Sequence, residues 1–196
     1  VQLPGRGDRV QERARRTLPE VLDVVLDAVD TREPYALFGH SLGALLAFEA
    51  ADRLRERPPV RLFASGHRAP HLPDRERPIH HLPDEELVAR LADLGGMPKV
   101  VLNHPEFLRM LLPAMRADLT VSETYRYRNR PALECPVSVF GGSEDPTAVR
   151  DELVPWHRHT TRDCRITQFP GNHFYLTTEP RPVLAVLVAG LVAEPR

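Results

Sequence analysis

The sequence predicts an α/β fold on a mostly parallel sheet, and three observations predict it. Short apolar runs alternate with stretches of helical periodicity up to Ser65, the same alternation resumes at Val137, and the segment between His71 and Pro131 carries helical patterns without strands. Strand, helix and strand joined by short connections make parallel neighbours, so the middle segment reads as an insertion into a sheet. A chain of 196 residues fits one ordinary domain, and a single domain over 1–196 with a helical insertion at about 71–131 is expected.

Each element has its own signal. Val1 to Leu3 reads as the end of a strand running into the turn Pro4-Gly5-Arg6-Gly7-Asp8, where Arg6-Gly7-Asp8 is simply part of the turn. From Thr17 to Asp30, apolar residues at Leu18, Val21, Leu22, Val25, Leu26 and Val29 form the stripe of an amphipathic helix, and Thr17 with Glu20 spells a capping box. Tyr35 to Gly39 is a buried strand, Leu42 to Arg57 a helix closed by Pro58-Pro59, and Val60 to Ser65 a second strand. In the insertion, Asp84 is placed as an N-cap ahead of Leu87, Val88, Leu91 and Leu94, with Gly95-Gly96 as the stop. Phe107 to Leu119 contains Pro113, which predicts a kink or two short helices. Val137 to Phe140 and Arg165 to Phe169 are further strands, and Pro182 to Val192 is a closing helix. The apolar run Val183 to Ala193 is too short to span a bilayer and reads as buried.

Composition excludes several classes of function. Basic residues number 26 and acidic ones 27, so no global positive charge draws the chain to nucleic acid, although Lys99 is the single lysine among them. Cys135 and Cys164 have neither CxxC nor Cys/His ligand spacing; no metal site and no disulfide framework is expected. With no charged-then-apolar leader, a reducing, cytoplasmic location without membrane attachment is the expectation.

The chemistry begins at Gly39-His40-Ser41-Leu42-Gly43, a G-x-S-x-G sequence with a strand before it and a helix after it. Strand and helix cross so closely there that Gly39 and Gly43 are expected to be required glycines. A serine hydroxyl is a weak nucleophile and needs a general base, which in turn needs an orienting carboxylate. Asp145 follows the strand ending at Phe140, and His173 follows the strand ending at Phe169, which gives the order Ser, Asp, His with each residue on a loop after a strand. Glu144 adjoins Asp145 and is the rival acid; Pro146 favours Asp145. His157 and His159 in a helix, and His80 and His81 opening the insertion, read as surface residues, while His40 reads as support for the turn. The backbone amide of Leu42, at the helix start, is one oxyanion donor. The residues before Ser41 contain no Gly-rich loop for a second donor, which is therefore expected outside this chain.

These residues and a series of others resemble the type II thioesterases that accompany polyketide synthases and nonribosomal peptide synthetases. The series is Leu3-Pro4-Gly5-Arg6-Gly7-Asp8-Arg9, the Gly39 to Glu49 turn and helix, Ser65-Gly66-His67-Arg68-Ala69-Pro70-His71, Leu82-Pro83-Asp84-Glu85-Glu86-Leu87, Leu94-Gly95-Gly96-Met97-Pro98, Leu112-Pro113-Ala114-Met115-Arg116-Ala117-Asp118, Glu123-Thr124-Tyr125 and His173-Phe174-Tyr175-Leu176. The resemblance implies an α/β-hydrolase fold, a Ser41, Asp145 and His173 triad, a lid formed by the helical insertion, and editing hydrolysis of acyl thioesters from phosphopantetheine on acyl or peptidyl carrier proteins, with no cofactor. Met97, Met110 and Met115 all fall in the insertion, where flexible side chains would suit an acyl channel or simply fill the core between helices. Family members carry a strand and a Phe-Pro-His-Ala-Gly-Gly-type loop ahead of the Pro-Gly-Arg-Gly-Asp segment, so N-terminal strands are expected to be missing here. Asn172 stands where the family often has a second glycine, a position where Asn would tolerate positive φ. A general carboxylesterase, or a non-catalytic carrier-protein binder, are the alternative readings.

Overall fold

A computed structural model describes residues 1–75, 77–93, 101 and 104–192. In chain order the elements are helix α1 (Leu18–Asp27), strand β1 (Ala36–His40), helix α2 (Leu42–Arg53), strand β2 (Arg61–Ser65), helices α3 (Asp84–Asp93) and α4 (Pro105–Glu123), strand β3 (Val137–Gly142), helix α5 (Arg150–Leu153), strand β4 (Cys164–Phe169), and helices α6 (Tyr175–Thr178) and α7 (Pro180–Val192). Short 3-10 turns cover Gly7–Arg9 and Val154–His159.

The residues fall into two compact units. One is built from Val29–Pro73 and Tyr127–Arg196 and carries the sheet, in the order β1-β2-β3-β4 with every pair parallel. Alternation along the strands sorts its core. Leu62, Ala64, Val137 and Val139 face one side, where they meet Ala44, Ala47, Phe48 and Ala51 of α2 together with Leu153 and Trp156. Phe63 and Phe140 face the other side and join Phe169, Tyr175 and Val183. Each of those phenylalanines is fully buried, worth about 1.5–3 kcal/mol apiece relative to exposure. Such two-sided burial explains why β2 and β3 are mostly apolar, and two of their enclosed polar side chains, Arg61 and Ser138, bond each other. An Arg130 guanidinium lies 4.7 Å from the Phe48 ring centroid and pairs with Glu49 and Asp52, so the one carboxylate buried within α2 is matched by a cation.

The other unit comprises Val1–Ala28 and Asp74–Arg126. Its apolar cluster joins Ile79, Leu87, Leu91 and Leu112, with Leu108, Met115 and Leu119 packed around them. Bidentate bonds tie Arg6 to Asp118, and Glu123 accepts hydrogen bonds from the backbone of Ile79 and His80. The Thr17–Glu20 capping box forms at the start of α1, whose Val21, Leu22 and Val25 are buried.

Several expectations are corrected. Residues 1–3 form no strand; Val1 is exposed and the turn structure begins at Pro4. Pro113 does not divide its segment: α4 is one helix of 19 residues, because the lost amide bond is a single rung and Leu112, Ala114, Ala117 and Val121 are buried around it. Asp84 is the first residue of α3 rather than its cap. The glycines expected to end that helix, and Met97, lie outside the described residues. Helix α7 is not buried: Val183 is covered, but Leu184 and Val188 are each 55% exposed. An apolar run that continues all round a helix says nothing about which side meets the core. Both cysteines are free thiols, and burial pushes each up to about 11. Among the described residues no helix is long and apolar enough to cross a membrane, and no group of three or more His, Cys, Asp or Glu could hold a metal ion.

Candidate active site

Parallel strands end at the same edge of the sheet, and the crevice beyond their carboxyl ends is the usual place for chemistry in such folds. Ser41 comes one residue after β1, Asp145 three after β3 and His173 four after β4. The topology therefore carries all three to one edge.

Ser41 has φ 56° and ψ −122°, the single positive φ of a non-glycine residue among the described residues. Its amide donates to the Ser65 carbonyl at 2.8 Å, and its own carbonyl accepts from the Ala44 amide at 2.9 Å as α2 begins. Strand and helix are thus pinned on either side of a turn too sharp for relaxed backbone. A side chain at Gly39 would put its Cβ 1.8 Å from the Gly43 oxygen, so glycine is obligatory there. At Gly43 itself an added Cβ would meet nothing within 4 Å, which corrects the expectation that both glycines are sterically required. The close approach is made by the Gly43 carbonyl, not by its α-carbon. Leu42 takes the first helical position, where an amide has no intrahelical acceptor and the helix dipole favours negative charge.

His173 Nδ1 lies 2.7 Å from Asp145 Oδ2 and donates to that carboxylate, which leaves Nε2 available for another partner. The other carboxylate oxygen, Oδ1, accepts from the Thr147 amide at 2.8 Å and from the Thr147 hydroxyl at 2.7 Å. Thr147 Oγ1 is also 3.1 Å from His173 Nδ1. Burial by itself would raise the Asp145 carboxyl, but the bonds from His173 and Thr147 outweigh it and the net shift is downward. Asp145 is therefore an anion held in a nearly fully buried position, 3% exposed, whereas Glu144 points to solvent.

Thr147 is the participant that the sequence reading missed. Its signal is the Asp-x-Thr spacing, since an Asp side chain accepting the amide two residues on is a common turn. The other histidines sort differently from expectation. His157 is exposed, but His159 is buried, with its Nε2 2.7 Å from His71 Nδ1 and its ring against Phe48, Trp156 and Tyr127. In the helical unit His80 bonds Glu123 and is half-buried, while His81 is exposed. Asn172 does not adopt a positive φ; Gly171 does, at 114°, and the Asn172 side chain accepts from the Phe174 amide at 2.9 Å. Met110 is 49% exposed, and Met115 packs in the Leu87 cluster.

Comparison with known proteins identifies the family. The thioesterase domain model matches residues 1–188. The gramicidin S biosynthesis protein GrsT of Aneurinibacillus migulanus is 38% identical over 90% of this chain and 71% of its own. Among solved structures, RedJ, a thioesterase of the prodiginine pathway in Streptomyces coelicolor, superposes with a TM-score of 0.87 at 39% identity, covering 97% of this chain and 77% of RedJ. The type II thioesterase BorB from the borrelidin cluster gives a TM-score of 0.88 at 38% identity, covering 97% of this chain and 80% of BorB. A family model spanning nearly the whole sequence, and relatives more than a third identical that share its α/β-hydrolase architecture, establish that the chain belongs to the thioesterase domain family, alongside the type II thioesterases.

Proposed function

We propose that the chain is an editing thioesterase that hydrolyses acyl groups from the phosphopantetheine arm of acyl or peptidyl carrier proteins in a polyketide or nonribosomal peptide assembly line. The observation that carries the reading is the His173–Asp145 bond at the sheet edge that also bears the strained Ser41. GrsT, a gramicidin S biosynthesis protein, RedJ, a thioesterase of the prodiginine biosynthetic pathway, and BorB, a type II thioesterase of the borrelidin biosynthetic cluster, support the substrate class.

This reading implies the chemistry of a serine hydrolase. Ser41 Oγ attacks the thioester carbonyl as its proton passes to His173 Nε2, and Asp145 steadies the imidazolium through Nδ1. The Leu42 amide donates to the oxyanion. Collapse of the tetrahedral intermediate breaks the carbon–sulfur bond, and His173 returns the proton to the departing thiolate. Water, deprotonated by His173, then attacks the acyl-serine; the acid leaves and Ser41 is restored. No step calls for a cofactor.

The test is Ser41→Ala assayed on acyl-carrier protein and on the matching oxoester. Loss of carrier-thioester hydrolysis with intact thermal melting is expected, and His173→Ala should cost as much, the double variant little more. Turnover near wild type in Ser41→Ala would remove the nucleophile assignment. A wild-type preference for the oxoester would make the chain a general carboxylesterase instead.

A further inference from the structure

The imidazole of His40 takes no part in the proton transfers above, yet it is built into the site. Its Nδ1 lies 2.8 Å from Ser65 Oγ, which lies 2.6 Å from the Tyr175 hydroxyl, so a chain of two hydroxyls ties the ring to the core. Tyr175 is 1% exposed and stacks on Phe169 with 5.4 Å between centroids and 13° between planes, which makes the far end of that chain rigid. Burial pushes the phenol up to about 12, so it remains a neutral hydroxyl. The near end meets the proposed base: the His40 and His173 rings are 4.7 Å apart and tilted by 43°. Gly66, with φ 60°, closes the other side, since a Cβ there would stand 2.5 Å from His40 Cε1 and 3.2 Å from His173 Cε1.

We propose that His40 is a positioning residue for His173: anchored through Ser65 to Tyr175, its ring is the wall that fixes the base's orientation about its bond to Asp145. Asp145 and Thr147 bond the ring only at Nδ1, so some swing about the side-chain bonds of His173 remains. Contact along the ring removes the swing and keeps Nε2 aimed. Burial, reinforced by the neighbouring His173, pushes His40 down to about 4, so it stays uncharged beside an imidazolium during turnover. The inference rests on the assignment of His173 as the base.

The experiment compares His40→Ala, His40→Phe, Tyr175→Phe and His173→Ala on a short acyl thioester, with kcat and KM separated and the low-field proton of the His173–Asp145 bond followed by NMR. Displacement of a catalytic group by about 1 Å costs about 10²-fold. His40→Ala is therefore expected to lose about that factor in kcat with KM unchanged, and its low-field signal to broaden. His40→Phe restores the wall without the bond to Ser65 and should recover most of kcat. Tyr175→Phe removes only the anchoring hydroxyl and should lower kcat with a smaller broadening; it decides the matter alone if His40→Ala does not fold. Wild-type kcat in His40→Ala or, failing that variant, in Tyr175→Phe overturns the proposal, as does a His40→Phe enzyme as slow as His40→Ala. A fully active His173→Ala would instead remove the base assignment, whereas an inactive His173→Ala beside unaffected His40 variants removes only the positioning role.

Discussion

A buried histidine outside the proposed triad is expected to contribute strongly to acid sensitivity. His159 is 4% exposed and shares a hydrogen bond with His71; burial above all, then the positive ends of His71, Arg130, Arg158 and His157, pushes it from 6.5 down to about 4. An unfolded chain therefore takes up a proton at this side chain between about pH 6.5 and 4 while the folded chain does not, so stability is complete above the higher value and is lost as pH falls through the window. The gap corresponds to about 3 kcal/mol for this one group, from about 1.4 kcal/mol per pH unit. His40, also pushed down to about 4, adds a loss of the same sign, which all variants retaining it share. His159→Gln keeps a polar side chain that cannot titrate. Urea unfolding of both proteins at pH 7.5, 6, 5 and 4.5 should give curves of stability against pH that converge toward acid, the wild type losing up to about 3 kcal/mol more than the variant. The variant is expected to be weaker at pH 7.5, having lost its contacts with Phe48 and Trp156, so the slope and not the offset is the readout. Parallel curves would refute the reasoning.

Asp145→Asn should lower kcat by about 10⁴-fold through loss of the correct His173 tautomer, whereas Glu144→Gln, in solvent, should be nearly silent in the same assay. Gly39→Ala should abolish soluble folded protein, while Gly43→Ala should raise stability by about 0.4–1 kcal/mol in a thermal melt; equal effects would contradict the clearances around the two positions. Met115→Leu, inside the Leu87 cluster, should cost under about 1.5 kcal/mol and change kcat/KM by one common factor for acetyl, butyryl and longer thioesters. A changed order among chain lengths would place Met115 on the acyl path.

Where the sequence was informative, the information was local. The serine turn was legible because its residues and both flanking elements lie within Ala36 to Arg53; the strand before Asp145 was legible because burial of all its residues leaves it mostly apolar, while the strand before His173 is only partly buried and carries Ile166, Thr167 and Phe169, residue types that favour strands. The choice between Glu144 and Asp145 was open on composition, since two adjacent carboxylates look alike until a turn turns one inward; Thr147 does that by taking Oδ1. Contacts across long stretches left no trace. Nothing near His159 marks it as a partner of His71, which is 88 residues away in sequence. Likewise, the composition of α7 could not reveal that only its Val183, Val186 and Leu187 side meets the sheet.

The backbone at Ser41 carries a consequence for how activity and robustness trade against each other. A side chain held at φ 56° and ψ −122° stores on the order of 1–3 kcal/mol, which the surrounding strand and helix must hold in place. Glycine at this position would adopt the same dihedrals with much of that tension relaxed. Ser41→Gly is thus the substitution at which inactivation and hardening coincide: the protein would gain heat resistance at the moment it lost its nucleophile. Selection for thermal tolerance alone would push this turn toward glycine, and only continuing demand for turnover holds a hydroxyl-bearing residue there.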